Sequence, residues 1–183
     1  MRRTTLTVAA AVLMLTVWAI AASAVTLVFE GENYTWIKPS MKVAGSDDTA
    51  SGGKYVYIPM RSNHGQTEQG PADAGNVTYK VYIPTEGYYT VWARTKWFDG
   101  CGNSFFYYMD NFSPEAARVI EDSTYQKWHW VKGRAFKLTV GYHQVRFQYR
   151  EDASKLDQFL VTTADEWTPT GKMSETSRYL WRP

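Results

Sequence analysis

The sequence predicts an all-β protein, an antiparallel β-sandwich of the jelly-roll kind, on three observations. Apolar residues recur at every second position through most of the chain. The alternating runs are short and are separated by clusters of Gly, Pro, Asn and Asp. Only 114–122, with Glu115-Ala116-Ala117-Arg118, hints at a helical turn. Eight to ten short strands of this kind suit two packed sheets.

Residues 26–30 open the series and 55–58 continue it. Val77, Tyr79, Val81 and Ile83 then alternate with Thr78, Lys80 and Tyr82. Pro84-Thr85-Glu86-Gly87 is a turn signal, after which Tyr89, Val91 and Ala93 alternate with Thr90, Trp92 and Arg94. Two such runs across a short Pro/Gly link predict a β-hairpin. Residues 104–109 and 127–131 are further strand candidates. Phe136, Leu138 and Val140 lead through Gly141 into Val145, Phe147 and Tyr149, a second expected hairpin with His143 in its turn. These runs have one apolar and one polar face, whereas 157–163 is apolar on both and is expected to lie centrally. The polar, Gly-rich stretches 46–50, 61–75 and 99–103 read as surface loops.

Three regions follow. Arg2 and Arg3, an apolar run and Ala22-Ser23-Ala24 make residues 1–24 a secretory signal peptide, so a secreted protein (extracellular, periplasmic or cell-surface) is expected. Residues 25–163 carry the sandwich. Residues 164–183 form a polar tail, with Trp167 and Tyr179-Leu180-Trp181, that either folds back or docks on a partner. The formal charge of +2 falls to zero without Arg2 and Arg3. Nucleic acid and anionic membrane surfaces then lose their electrostatic rationale, and no membrane insertion is expected after cleavage. Cys101 is the only cysteine, and His64, His129 and His143 are the only histidines. That excludes haem-attachment motifs, thiolate zinc sites and iron–sulfur clusters, and leaves Cys101 free or linking subunits.

Aromatic residues make up 16% of the chain, and thirteen lie between Tyr88 and Trp130. Strands favour aromatics, but buried Tyr and Trp need partners for their polar atoms. A surplus near loops builds flat, amphipathic binding surfaces.

Five blocks resemble the secreted carbohydrate-binding modules of the family 6 and family 35 type. They are Glu30-Gly31-Glu32, Gly52-Gly53-Lys54-Tyr55-Val56, and Tyr79-Lys80-Val81-Tyr82-Ile83 through Gly87 to Arg94. Trp128-His129-Trp130 with Leu138 to His143, and Lys155-Leu156-Asp157, complete the set. The resemblance spans roughly 27–163 and implies a galactose-binding-like β-sandwich that binds polysaccharide or glycan without catalysis.

The resemblance further implies a structural calcium ion held by Glu30, Glu32 and Asp157. Residues 30 and 32 share a strand face, and adjacent first and last strands bring Asp157 to them. Clustered carboxylates of this kind call for a hard cation, for which calcium takes six to eight oxygens. Alternatively, Glu30 and Glu32 are solvated charges on an edge strand. For a sugar, the resemblance nominates Trp128 and Tyr55. Trp97, Phe98, Tyr125 and Trp130 complete a loop aromatic set in which Trp128 and Trp130 are expected to share a strand face, one as platform and one packed beneath. The alternative is that both are core or edge packing. Lys155 stands where many family 6 modules have an asparagine. It bonds sugar hydroxyls, pairs with a uronate, or lies idle on the surface. Asn103 and Arg94 are further polar candidates.

A catalytic reading has little behind it: there is no G-x-S-x-G elbow, no H-E-x-x-H and no phosphate loop. The alternative to a binding module is a structural or adhesive subunit of an extracellular assembly, a homo-oligomer or a partner complex joined through the tail.

Overall fold

The computed structural model describes residues 23–62, 75–164, 166–176 and 179–181. All but the last two residues of the expected signal peptide lie outside them. The described residues form eleven strands: β1 (Thr26–Glu30), β2 (Trp36–Lys38), β3 (Lys42–Gly45), β4 (Lys54–Tyr57), β5 (Asn76–Ile83), β6 (Gly87–Lys96), β7 (Ser104–Met109), β8 (Arg118–Glu121), β9 (His129–Leu138), β10 (Gly141–Tyr149) and β11 (Lys155–Thr162). One antiparallel sheet has the order β3-β4-β11-β6-β9, with β1 also on β11, and the other has the order β2-β5-β10-β7-β8. The predicted β-sandwich is the architecture found. At the expected helical turn there is a single 3-10 turn, Pro114–Ala116, that leads into β8.

Neither expected hairpin forms. β5 pairs with β2 and β10, while β6 pairs with β11 and β9, so Pro84–Gly87 carries the chain from one sheet to the other. The Leu138–Gly141 link does the same between β9 and β10, and His143 lies on β10 rather than in a turn. Alternation sets which face of a strand meets the core. Strands on opposite sheets satisfy it as well as paired neighbours do.

The last strand is central, as predicted. β6 lines one edge of β11, while β4 and β1 take successive stretches of the other. The handover falls at a register shift between Leu156 and Gln158, so Asp157 sits at a bulge. There the Gly31 N–H donates to Asp157 O over 2.6 Å, and a Cβ on Gly31 would lie 2.7 Å from Leu156 O. Only glycine fits so close an approach.

Between the sheets lies an aromatic core. Phe159 contacts Tyr79 at 4.5 Å, Phe29 at 4.9 Å and Phe147 at 5.5 Å between ring centroids. The buried phenols have partners: Tyr79 donates to Gly31 O at 2.7 Å, and Tyr107 accepts from the Arg134 N–H at 2.6 Å. A second, smaller cluster of Val28, Trp92 and Leu160 is packed against Trp130, Trp167 and Met173. The described part of the tail therefore folds back on its own domain. Thr176 N donates to Val28 O at 2.7 Å, Met173 N to Gln158 Oε1 at 3.0 Å, and Trp181 N to Lys80 O at 2.8 Å.

Candidate functional site

Two constellations gather at β11: a carboxylate centre at the bulge, and an aromatic pocket beside Lys155. The pairing of β1 with β11 sets Glu30 opposite Gln158 and so brings Glu30, Glu32 and Asp157 together. Ser51, in the 3-10 turn Ser51–Gly53 before β4, joins them. Its N–H donates to Asp157 Oδ1 at 2.7 Å and its hydroxyl to Glu30 Oε1 at 2.8 Å. Gln158 Nε2 donates to the same Glu30 oxygen at 2.8 Å. Arg94, from β6, ion-pairs with Asp157 Oδ2, and both residues are buried.

Burial pushes the Glu30 carboxyl up to about 7, partly countered by Ser51 and Gln158 and reinforced by the neighbouring carboxylates. Burial raises Glu32 as well. It also raises Asp157, against the pull of Arg94 and the Ser51 N–H. Glu30 Oε2 and Glu32 Oε2 are buried without a hydrogen-bond partner. Two hard, anionic oxygens lacking donors fit a hard cation such as calcium. Asp157 fits less well, because Arg94 and Ser51 already occupy its two oxygens. Among the described residues, no group of three or more His, Cys, Asp or Glu forms a ready metal-binding set. Of the expected trio, Glu30 and Glu32 keep oxygens for a metal, whereas Asp157 supplies mainly charge.

The pocket, about 360 Å³ in volume, is lined among others by Tyr55, Tyr57, Met60, Lys96, Phe98 and Lys155. Tyr55 lies edge-on to Tyr57 at 5.9 Å and to Trp128 at 5.6 Å. The Lys155 ammonium sits 5.1 Å from the centre of the Tyr55 ring, and that of Lys96 sits 5.8 Å from Trp128. Met60 and Phe98 are exposed at the rim. Half-exposed rings beside two cations make an amphipathic wall that can take an apolar sugar face while hydrogen-bonding its edge.

The expected aromatic set divides here. Tyr55 lines the pocket, and Trp128 stands edge-on to it beside the pocket. Trp97 is fully buried below it, against Phe105 at 5.6 Å, with its Nε1 donating to Asp122 at 3.0 Å. A ring without exposed face cannot stack on a ligand, so Trp97 is floor and core. Trp130 does not share a strand face with Trp128, which precedes β9. It packs on the Val28–Trp92–Leu160 cluster, and its Nε1 donates to Gly171 O in the tail at 2.9 Å. Asn103 braces loops: its Nδ2 donates to Asp122 O at 2.8 Å, and its N–H to Glu151 at 3.0 Å. Arg94 is committed to Asp157. Sequence reasoning missed Tyr57 and Lys96. The Tyr55-x-Tyr57 spacing, which puts both rings on one strand face, was the signal available for the first.

No protein-family profile matches the chain. It is 26% identical to an uncharacterized protein of Formosa agariphila over 77% of its own length, and spans 41% of that protein. Among solved structures it matches a family 6 module of Cellvibrio mixtus lichenase 5A, in complex with cellotriose (18% identity, TM-score 0.53, 75% of this chain and 96% of that one). A family 35 module of Clostridium thermocellum matches likewise (18%, TM-score 0.54, 76% and 98%). The fold is that of the family 6 and family 35 carbohydrate-binding modules. The chain also matches part of a Paenibacillus glucanotransferase complexed with cycloisomaltoheptaose, of which it spans 17% (19% identity, TM-score 0.54, 72% of this chain). In this carbohydrate-binding-module fold, Tyr55 and Lys155 lie on paired strands, β4 and β11, at one end of the sandwich.

Proposed function

We propose that the protein is a secreted, non-catalytic carbohydrate-binding module whose ligand site is the pocket lined by Tyr55, Lys96 and Lys155, extended by the neighbouring Trp128 ring. A pyranose stacks its C–H face on the aromatic wall, and Lys155 and Lys96 donate to hydroxyl or carboxylate oxygens at its edge. The observation carrying this reading is the placement of half-exposed Tyr55 and two ammonium groups around one pocket, with the Trp128 ring edge-on to Tyr55 beside it. Glu30 and Glu32 hold a calcium ion, which neutralises their charge and ties β1 to the loop before β4.

Titration with a panel of neutral and acidic polysaccharides tests the proposal, with tryptophan fluorescence as readout. At least one glycan is expected to change the signal, and Trp128→Ala is expected to abolish the change while the protein stays folded. A panel in which no glycan has an effect refutes it. A second reading, a subunit of an extracellular assembly, draws on an exposed terrace on the other sheet. There Trp36 stacks on Trp181 at 6.2 Å, and Lys80 lies 4.9 Å from the Tyr142 ring. Sedimentation as a large species, with no glycan response, would favour it.

A further inference from the structure

A short chain of contacts joins the Trp128 wall to an acidic side chain outside the pocket lining. Trp128 Nε1 donates to Thr49 Oγ1 at 3.1 Å. The Thr49 hydroxyl donates in turn to Asp47 Oδ1, which also accepts the Thr49 N–H at 3.0 Å. The backbone of Asp47 is pinned on both sides: its N–H donates to Gly53 O at 3.3 Å, and its carbonyl accepts from Ala50 N at 3.0 Å. Asp47 is thus a fixed charge.

Its field reaches the pocket. Thr49's donors, with Lys96 and Lys155 behind them, hold the Asp47 carboxyl below its ordinary range, and burial raises the Tyr55 phenol with a smaller push from Asp47. Arg94 is already neutralised by Asp157. Lys96, Lys155 and Asp47 are thus three charges beside the aromatic rings.

We propose that Asp47 sets the charge preference of the pocket and, through Thr49, holds the Trp128 ring in its binding position. This rests on the carbohydrate-binding reading above. As the counter-charge to Lys96 and Lys155, Asp47 weakens the pull on an anionic sugar while leaving a neutral one almost untouched. Thr49 is a positioning residue: it fixes an indole that would otherwise rotate, and it carries no charge of its own.

Two variants of the full chain separate these roles. Asp47→Asn keeps an acceptor for Thr49 and removes the charge; Thr49→Val removes the acceptor of the indole N–H and leaves the charge. The probes are a galacturonate oligosaccharide and its carboxyl-reduced neutral counterpart of equal length. Asp47→Asn is expected to raise the acidic-over-neutral affinity ratio about fivefold at low salt, an effect that fades at about 0.5 M salt. Thr49→Val is expected to weaken both sugars by the same factor and leave the ratio unchanged. An unchanged ratio in Asp47→Asn, or a shifted ratio in Thr49→Val, overturns the assignment. Binding of neither sugar by any form overturns the charge role, whereas the carbohydrate reading falls only if the wider polysaccharide panel is silent as well. The positioning role is then still decided by the Trp128 indole N–H signal in a nitrogen–proton correlation spectrum. It is expected to move in Thr49→Val, and an unmoved signal refutes the role.

Discussion

Arg94→Met tests the carboxylate centre most directly. The substitution keeps the length and apolar stem of the side chain and removes the guanidinium from Asp157, whose side chain is 0% exposed. Asp157 then retains the Ser51 N–H as its donor, with Glu30 and Glu32 nearby. Leaving a buried charge unpaired costs about 3–5 kcal/mol. At about 2–4 °C per kcal/mol for a domain of this size, the midpoint should fall by roughly 10 °C. The assay is thermal and urea unfolding in chelator, repeated with Asp157→Asn and the double variant. A coupling energy above about 2 kcal/mol is expected from the cycle. Calcium should return part of the loss, because a cation on Glu30 and Glu32 relieves the same excess of negative charge. A loss below about 1 kcal/mol in both media, with additive variants, would refute the argument that Arg94 offsets a buried charge.

Without calcium, stability should depend on pH through Glu30. Its folded carboxyl lies at about 7 against an ordinary 4.5, so the folded chain keeps a proton that the unfolded chain releases within that window. Stability in chelator should be greatest at the acid end and fall by about 1–2 kcal/mol as pH rises through 7, allowing for partial exposure. Saturating calcium should flatten that fall, as followed by urea midpoints from pH 5 to 8. Trp97→Ala, emptying a core site, should cost about 3–5 kcal/mol, whereas Trp128→Ala should cost about 1 kcal/mol or less and lose the ligand; melting curves beside binding titrations separate them. Gly31→Ala should lower the melting temperature by several degrees, because its Cβ meets the Leu156 and Asp157 carbonyls at 2.7 and 2.9 Å.

Alternation made the strands legible where it was long, as at β5, β6 and β10. It was silent about partners, since one period suits either sheet. That is why two sheet-to-sheet crossings read as hairpins. β2 and β3 are short and largely exposed, so no buried face marks them. The sequence reading split β9 at Lys132–Ala135, where most side chains are exposed and no apolar alternation continues. Of the candidate site, the proximity of Glu30, Glu32 and Asp157 was legible from the order of the blocks. The Arg94 pairing was not, because it depends on a bulge that re-aims Asp157. Trp97 and Trp130 misled for a related reason: residue type reports a capacity to stack, and only packing tells which ring is already covered. Lys96 carried no signal, since its role arises from the ring it faces across the sheet.

The attachment of β1 to β11 also bears on how the polypeptide is made. During vectorial synthesis, β1 leaves the ribosome long before the segment it will bond to has been translated. Until then, the row Leu27–Val28–Phe29 has no hydrogen-bonding mate and must stay shielded from other nascent chains. Closure of this sandwich is thus a late, long-range event, set by when β11 becomes available more than by local preference.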